Sequence, residues 1–139
     1  MIYDLITQKP RSPKERYEGI ISLPRFFDKL RAKASNALGE YMVGPESALD
    51  KMIIDFLSLD FNAILQFATP EKTDRELFDF LKEHAHLPSI DECIAWSDHI
   101  EKMKLIEDPS RQAYAKIVIE KMNLPQDITT LDWLILGDK

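Results

Sequence analysis

The residues with the most chemical potential lie in one stretch, Leu23-Pro24-Arg25-Phe26-Phe27-Asp28-Lys29-Leu30-Arg31-Ala32-Lys33-Ala34-Ser35-Asn36-Ala37-Leu38-Gly39-Glu40-Tyr41. Arg25, Lys29 and Lys33 are four apart and form one ridge on a helix, with Arg31 across it; Lys14 and Arg16 could extend it. Guanidinium and ammonium groups in that pattern suit a phosphate or a carboxylate-rich partner. Arg25 and Asp28 are spaced to pair on the helix surface, and Glu40 and Tyr41, just past its end, could bond Arg25 or Arg31 in a polar network. Two functions follow. A non-enzymatic module would bind a protein or small anion through the basic helix 23–38, using Arg25, Asp28, Lys29, Arg31, Glu40 and Tyr41. A small enzyme would instead gather Arg25, Asp28, Glu40 and Tyr41 around a carboxylate- or phosphate-bearing substrate. The enzyme predicts an enclosed pocket with shifted ionisation, the module an open face. Full neutralisation of Arg25 and Lys29 by the chain's own acids would make the helix purely structural.

Other candidates have simpler explanations. His84 and His86 fall at a helix end, where imidazoles suit the last carbonyls. No HExxH or paired CxxC is present, so no metal is expected. Cys93 is six residues from His99, on another side of the same helix, and its neighbours Ile90, Ile94 and Ile100 read as core. Acid pairs such as Asp50 with Asp55, Asp74 with Glu76 and Asp91 with Glu92 read as caps or solvated faces. Phosphate loops, nucleophile elbows and dinucleotide fingerprints are missing, and no cofactor is implied.

Charge narrows the partners. The chain carries −6 overall, yet residues 1–36 hold eight cations against four acids, leaving −10 on the remainder. Such asymmetry fits either an anion-binding face or pairing between the basic quarter and the acidic body. The acidic balance disfavours nucleic acid. No apolar run reaches bilayer length, the N-terminus does not read as a signal peptide, and a single cysteine suits a reducing cytoplasm.

The elements that would position these residues are helical. Over 23–38 the residues Leu23, Phe26, Phe27, Leu30, Ala34, Ala37 and Leu38 form one apolar stripe, with Pro24 in the first turn and Gly39 past the end. The opposite side, with Arg25, Asp28 and Lys29, reads as a basic outer face. Ser12-Pro13-Lys14-Glu15 predicts a short helix ending near Gly19. Ser47, Asp60, Thr73 and Ser89 read as further caps, Asp108-Pro109 as another start, and Thr129 or Thr130 as the cap of a last helix. The tract after Asp108 would bury Ala113, Tyr114, Ile117, Val118 and Met122. No Asn-Gly or Asp-Gly hairpin turn occurs. The sequence thus predicts an all-α single domain over 1–139, with seven or eight short helices in an orthogonal, non-bundle array.

Leu23-Pro24-Arg25, Asp28-Lys29, Arg31-Ala32 and Leu38-Gly39-Glu40-Tyr41 together resemble a bacterial family known as domain of unknown function 5069. Arg11-Ser12-Pro13, Leu49-Asp50, Asp55-Phe56-Leu57, Ser89 with Glu92 and Trp96, and Asp127-Ile128-Thr129-Thr130 extend the resemblance over nearly the whole chain. Where relatives often place a cysteine before the proline of the following bend, this chain has Gly44-Pro45. The resemblance implies fold and extent, and no activity, cofactor or substrate.

Overall fold

A computed structural model describes residues 1–107 and 111–138. Among them are seven α-helices: α1 Leu23–Ala34, α2 Ala48–Leu57, α3 Phe61–Phe67, α4 Asp74–His84, α5 Ile90–Lys102, α6 Gln112–Lys121 and α7 Thr130–Gly137. One antiparallel pair, β1 Arg16–Tyr17 and β2 Ile20–Ile21, precedes α1. The domain is predominantly helical, as its caps predict. Thr73 and Glu76 complete a reciprocal capping box, and Ser47, Asp60, Ser89 and Thr129 each accept an amide of the following turn. The expected start at Asp108-Pro109 lies outside the described residues.

The short helix expected from Ser12 is instead a hairpin. Its capping signal is real: Ser12 N–H reaches Glu15 Oε2, and Ser12 Oγ accepts from Lys14 N–H. The turn does not propagate because Glu18 and Gly19 both take positive φ, 49° and 77°, which reverses the chain between paired strands. Glu-Gly does the work of the absent Asn-Gly. Ser97 on α5 then holds the hairpin, accepting from Ile21 N–H and donating to the Gly19 carbonyl, each at 2.8 Å.

Helix α1 stops four residues before Leu38. Asn36 takes the left-handed conformation (φ 55°), and the amides of Asn36 and Ala37 turn back onto the carbonyls of Lys33 and Ala32. That is a Schellman closure with asparagine in the usual glycine position. The predicted inner residues Leu23, Phe26, Phe27 and Leu30 are fully buried against Ile20, Ile53, Leu57, Ile64, Leu77 and Leu81. At about 1.5–3 kcal/mol for each such side chain, this stripe is the main stabilising surface of the helix.

The expected basic outer face is absent. Every residue from Leu23 to Ala32 is buried, including Arg25, Asp28, Lys29 and Arg31. Periodicity detects which side is apolar; it cannot show that α2, α4 and the C-terminal end enclose the polar side as well. Two smaller cores complete the domain. Ile21, Leu49, Ile100 and Leu131 form one, and Leu105, Ala115, Ile119 and Ile128 the other. The latter corrects the expected phase of α6: Ala115, Val118 and Ile119 face inward, while Tyr114, Ile117 and Met122 are exposed. That helix is apolar on several sides, so packing against the turn at Leu105–Glu107, not spacing, selects its inner face.

Replacing Ser97 by Ala should strand the Ile21 amide and the Gly19 carbonyl. We expect a loss of about 1–3 kcal/mol in denaturant unfolding. A change below about 0.5 kcal/mol, the usual effect of an unimportant surface substitution, would mean that Ser97 does not hold the hairpin.

Candidate ligand-binding site

Burying four charged side chains on one helix demands partners, because an unpaired buried charge costs several kcal/mol. Apart from the Asp28–Arg31 pair within the helix, the partners come from four other parts of the chain. On one side, Asp28 receives Arg31 at 3.1 Å and Arg11 through both Nε and a terminal nitrogen. Arg11 also reaches Asp74 at 2.8 and 2.9 Å, and Arg31 bonds Asp74 and the Lys72 carbonyl. Two cations and two acids close this cluster on itself. The Asp74 hydrogen bonds raise the Arg11 pKa above its already high ordinary value despite burial. Burial alone would raise the Asp74 carboxyl, but hydrogen bonds from Arg11 and Arg31 outweigh it and hold it below its ordinary value.

On the other side the pairs are separate. Lys29 Nζ bonds Asp50 at 2.8 Å, with the two side chains 5% and 2% exposed. Asp50 also accepts the Gly44 amide at 3.0 Å, which ties the bend to the start of α2. Burial lowers the Lys29 pKa and raises that of Asp50, in each case against the pull of the partner's charge. Arg25 holds Asp138 in a two-toothed pair at 2.7 and 2.9 Å, and its guanidinium lies 5.7 Å from the centre of the Tyr41 ring. Burial, and then the charge of Asp138, raises the Tyr41 hydroxyl.

These two pairs border a cavity of about 370 Å³, larger than the recess of about 170 Å³ that Arg11, Arg31 and Asp74 line with Met1 and Ile2 on the other side. Arg25 and Lys29 form its α1 wall, Glu40, Tyr41 and Met42 one side, Ser47 and Leu49 the floor of α2, and Trp133, Leu134, Gly137 and Asp138 the α7 side. Four of the six residues expected to act together therefore share a cavity: Arg25, Lys29, Glu40 and Tyr41. Asp28 and Arg31 belong to the closed cluster with Arg11 and Asp74. The expected Arg25–Asp28 surface pair does not form; each has a different partner. Lys33 is exposed beyond the buried part of α1.

The sequence reading missed Trp133, Leu134 and Asp138 as cavity residues. One local signal existed for Asp138. An acid just past a helix C-terminus opposes the helix dipole, so it needs a cation nearby. Asp50, three residues after the Ser47 cap, reads in the sequence as a cap or solvated acid, which conceals its pairing with Lys29. The asymmetric charge resolves largely into internal pairs: Lys14 with Asp132 and Arg16 with Asp98 and Glu101 add to those of Arg11, Arg25, Lys29 and Arg31.

The other candidates stay outside the cavity. Cys93 is buried with a thiol pushed up by burial, and its Sγ lies 3.7 Å from the Pro88 carbonyl oxygen, so the core reading holds for Cys93 and Ile100, whereas Ile90 and Ile94 are exposed. His84 is exposed and packs on Phe80 at 4.4 Å. Among the described residues no cluster of His, Cys, Asp and Glu could hold a metal ion, and no helix is long and apolar enough to cross a membrane.

The model of the family described as Domain of unknown function (DUF5069) matches residues 7–139. The chain belongs to that family. The match spans both the closed cluster and the cavity, so in this DUF5069 chain all of the arrangement from Arg11 to Asp138 lies within the family domain. No curated protein matches the chain, and the family description assigns no activity; the function is unknown.

Two outcomes test the electrostatics. Asp50→Ala should cost about 3–5 kcal/mol by leaving Lys29 buried without a counter-charge, while Lys29→Met with Asp50→Leu should recover most of that loss. Equal losses in the single and double variants would refute it. For Asp74, a depressed folded-state pKa contributes stability that is present above 3.8 and lost as pH falls through the folded value. The stability gap between wild type and Asp74→Asn should therefore narrow as pH falls through 3.8 and below it; a constant gap would contradict this sign.

Proposed function

We propose that this domain is a non-enzymatic binding module for a small organic anion held in the cavity beside α1. The observation that carries the reading is the state of Lys29. Its ammonium has three N–H donors, it is almost wholly buried, and among the described residues it bonds Asp50 alone. A buried cation with spare donors at a cavity wall suits an acceptor on a ligand. Arg25 supplies a second cation, and Tyr41, Leu49, Trp133 and Leu134 provide apolar surface for the rest of the molecule.

A small ligand is favoured over a protein partner because Arg25 and Lys29 lie in a recess and not on an open face. The four-residue enzyme site with Asp28 gains no support, since Asp28 is bonded to Arg11 and Arg31 away from the cavity. A purely structural reading draws on one observation: Arg25 and Lys29 each already have a carboxylate. Residence in the cytoplasm is proposed from the single free Cys93.

Thermal shift separates binding from scaffold. Wild type and the Lys29→Met/Asp50→Leu variant would be screened against phosphate, citrate, acetate and aromatic carboxylates. A specific ligand at roughly one hundred times its Kd stabilises by about 2.7 kcal/mol. We expect at least one anion to stabilise wild type and not the variant. Equal shifts in both proteins, or none in wild type, would leave the pairs as scaffold.

A further inference from the structure

We infer that the ligand of this cavity is a monocarboxylate with an aromatic or branched apolar body, and that its carboxylate takes the seat on Arg25 that Asp138 now fills. The inference rests on the proposed binding function and names the ligand class of that same site. The seat is already visible: both Asp138 oxygens face the two terminal nitrogens of Arg25, the fork-to-fork arrangement selective for a planar carboxylate. The Tyr41 ring lies against the same guanidinium, and Trp133 and Leu134 continue the wall from the Asp138 side.

Asp138 is built to be exchanged. It is the residue after α7, preceded by the exposed Gly137, which has open space around it. Its amide bonds the Ile135 carbonyl, but its carboxylate opposes the α7 dipole there and is held in place by Arg25. Asp50, by contrast, is 1% exposed and is held by Lys29 and the Gly44 amide together. Turning Asp138 out to water and bringing in another carboxylate exchanges one negative charge for one, so the charge balance at Arg25 is unchanged. A phosphate dianion would add a second negative charge between Glu40 and the Lys29–Asp50 pair, where Lys29 still has N–H groups to donate but already has its counter-charge. The apolar lining favours a ligand with a hydrophobic body over a small hydrated ion.

The test uses three probes of similar shape, phenylacetate, phenyl phosphate and neutral phenylacetamide, titrated calorimetrically into wild type and Asp138→Asn. Phenylacetate should bind wild type more tightly than the other two. It should bind the Asn variant at least about tenfold more tightly again, because an internal competitor lowers apparent affinity by the fraction of time the seat is filled. Phenyl phosphate equalling phenylacetate, or an unchanged affinity in the variant, overturns the inference. If the variant fails to fold, amide exchange on wild type decides. Phenylacetate should speed exchange at Gly137 and Asp138 while slowing it in α1; protection of both ends overturns the displacement of Asp138. An anion that needs Lys29 but ignores Asp138 would sink this inference and leave the binding function standing. Absence of any anion binding would remove both.

Discussion

The structure depends on one constraint: α1 is buried on all sides from Leu23 to Ala32, yet four residues of that span carry charge. Its apolar stripe can be satisfied by any hydrophobic neighbours. Arg25, Asp28, Lys29 and Arg31 cannot, and they require particular partners at particular places. Arg11, Asp50, Asp74 and Asp138 provide them from the N-terminal arm, α2, α4 and the end of α7. The helix thereby ties together segments far apart in the chain. Magnitudes divide the tasks. Buried Leu23, Phe26, Phe27 and Leu30 supply the free energy, whereas buried ion pairs contribute little net stability and make misplacement expensive. The pairs fix which acid-bearing segment lies where.

The same constraint accounts for the cavity. A closed polar cluster, like that of Arg11, Asp28, Arg31 and Asp74, uses its charge internally and leaves little for a ligand. The pairs of Arg25 and Lys29 are simple one-to-one contacts beside a recess lined by Tyr41 and Trp133. One helix thus presents a polar side whose cations and acids are bonded to one another and a side on which charge remains addressable. Gly44 contributes to the second. Its φ of 97° and the Phe61 ring 2.5 Å from where a Cβ would sit make glycine necessary, and its amide helps orient Asp50.

Much of this was legible in the sequence, and the rest was hidden for identifiable reasons. Caps at Ser47, Asp60, Thr73, Ser89 and Thr129 are local chemistry, and local chemistry is readable. So is the stripe from Leu23 to Leu30. The hairpin at Glu18-Gly19 escaped because its turn residues lack the usual asparagine, and a genuine capping signal at Ser12 pointed elsewhere. The Asn36 stop was obscured by a more conspicuous glycine three residues on. The basic face failed for a different reason: enclosure of Arg25 and Lys29 is set by Asp138 and Asp50, which no periodicity on α1 can reveal. Charge asymmetry hinted at it, since a +4 quarter and a −10 remainder can neutralise each other internally. Tyr41 and Glu40 were legible as neighbours of the helix end, while Trp133 and Asp138 reach the cavity only through the tertiary fold.

Native-state hydrogen exchange of α1 tests the central claim most directly. If the helix is held on every side, its amides from about Phe26 to Ala34 should exchange only through global unfolding, with the same free energy as denaturant melting, while those of α6 exchange through smaller local openings. Exchange of α1 by local opening, at a free energy clearly below the global value, would contradict the view that this helix and its paired charges hold the domain together.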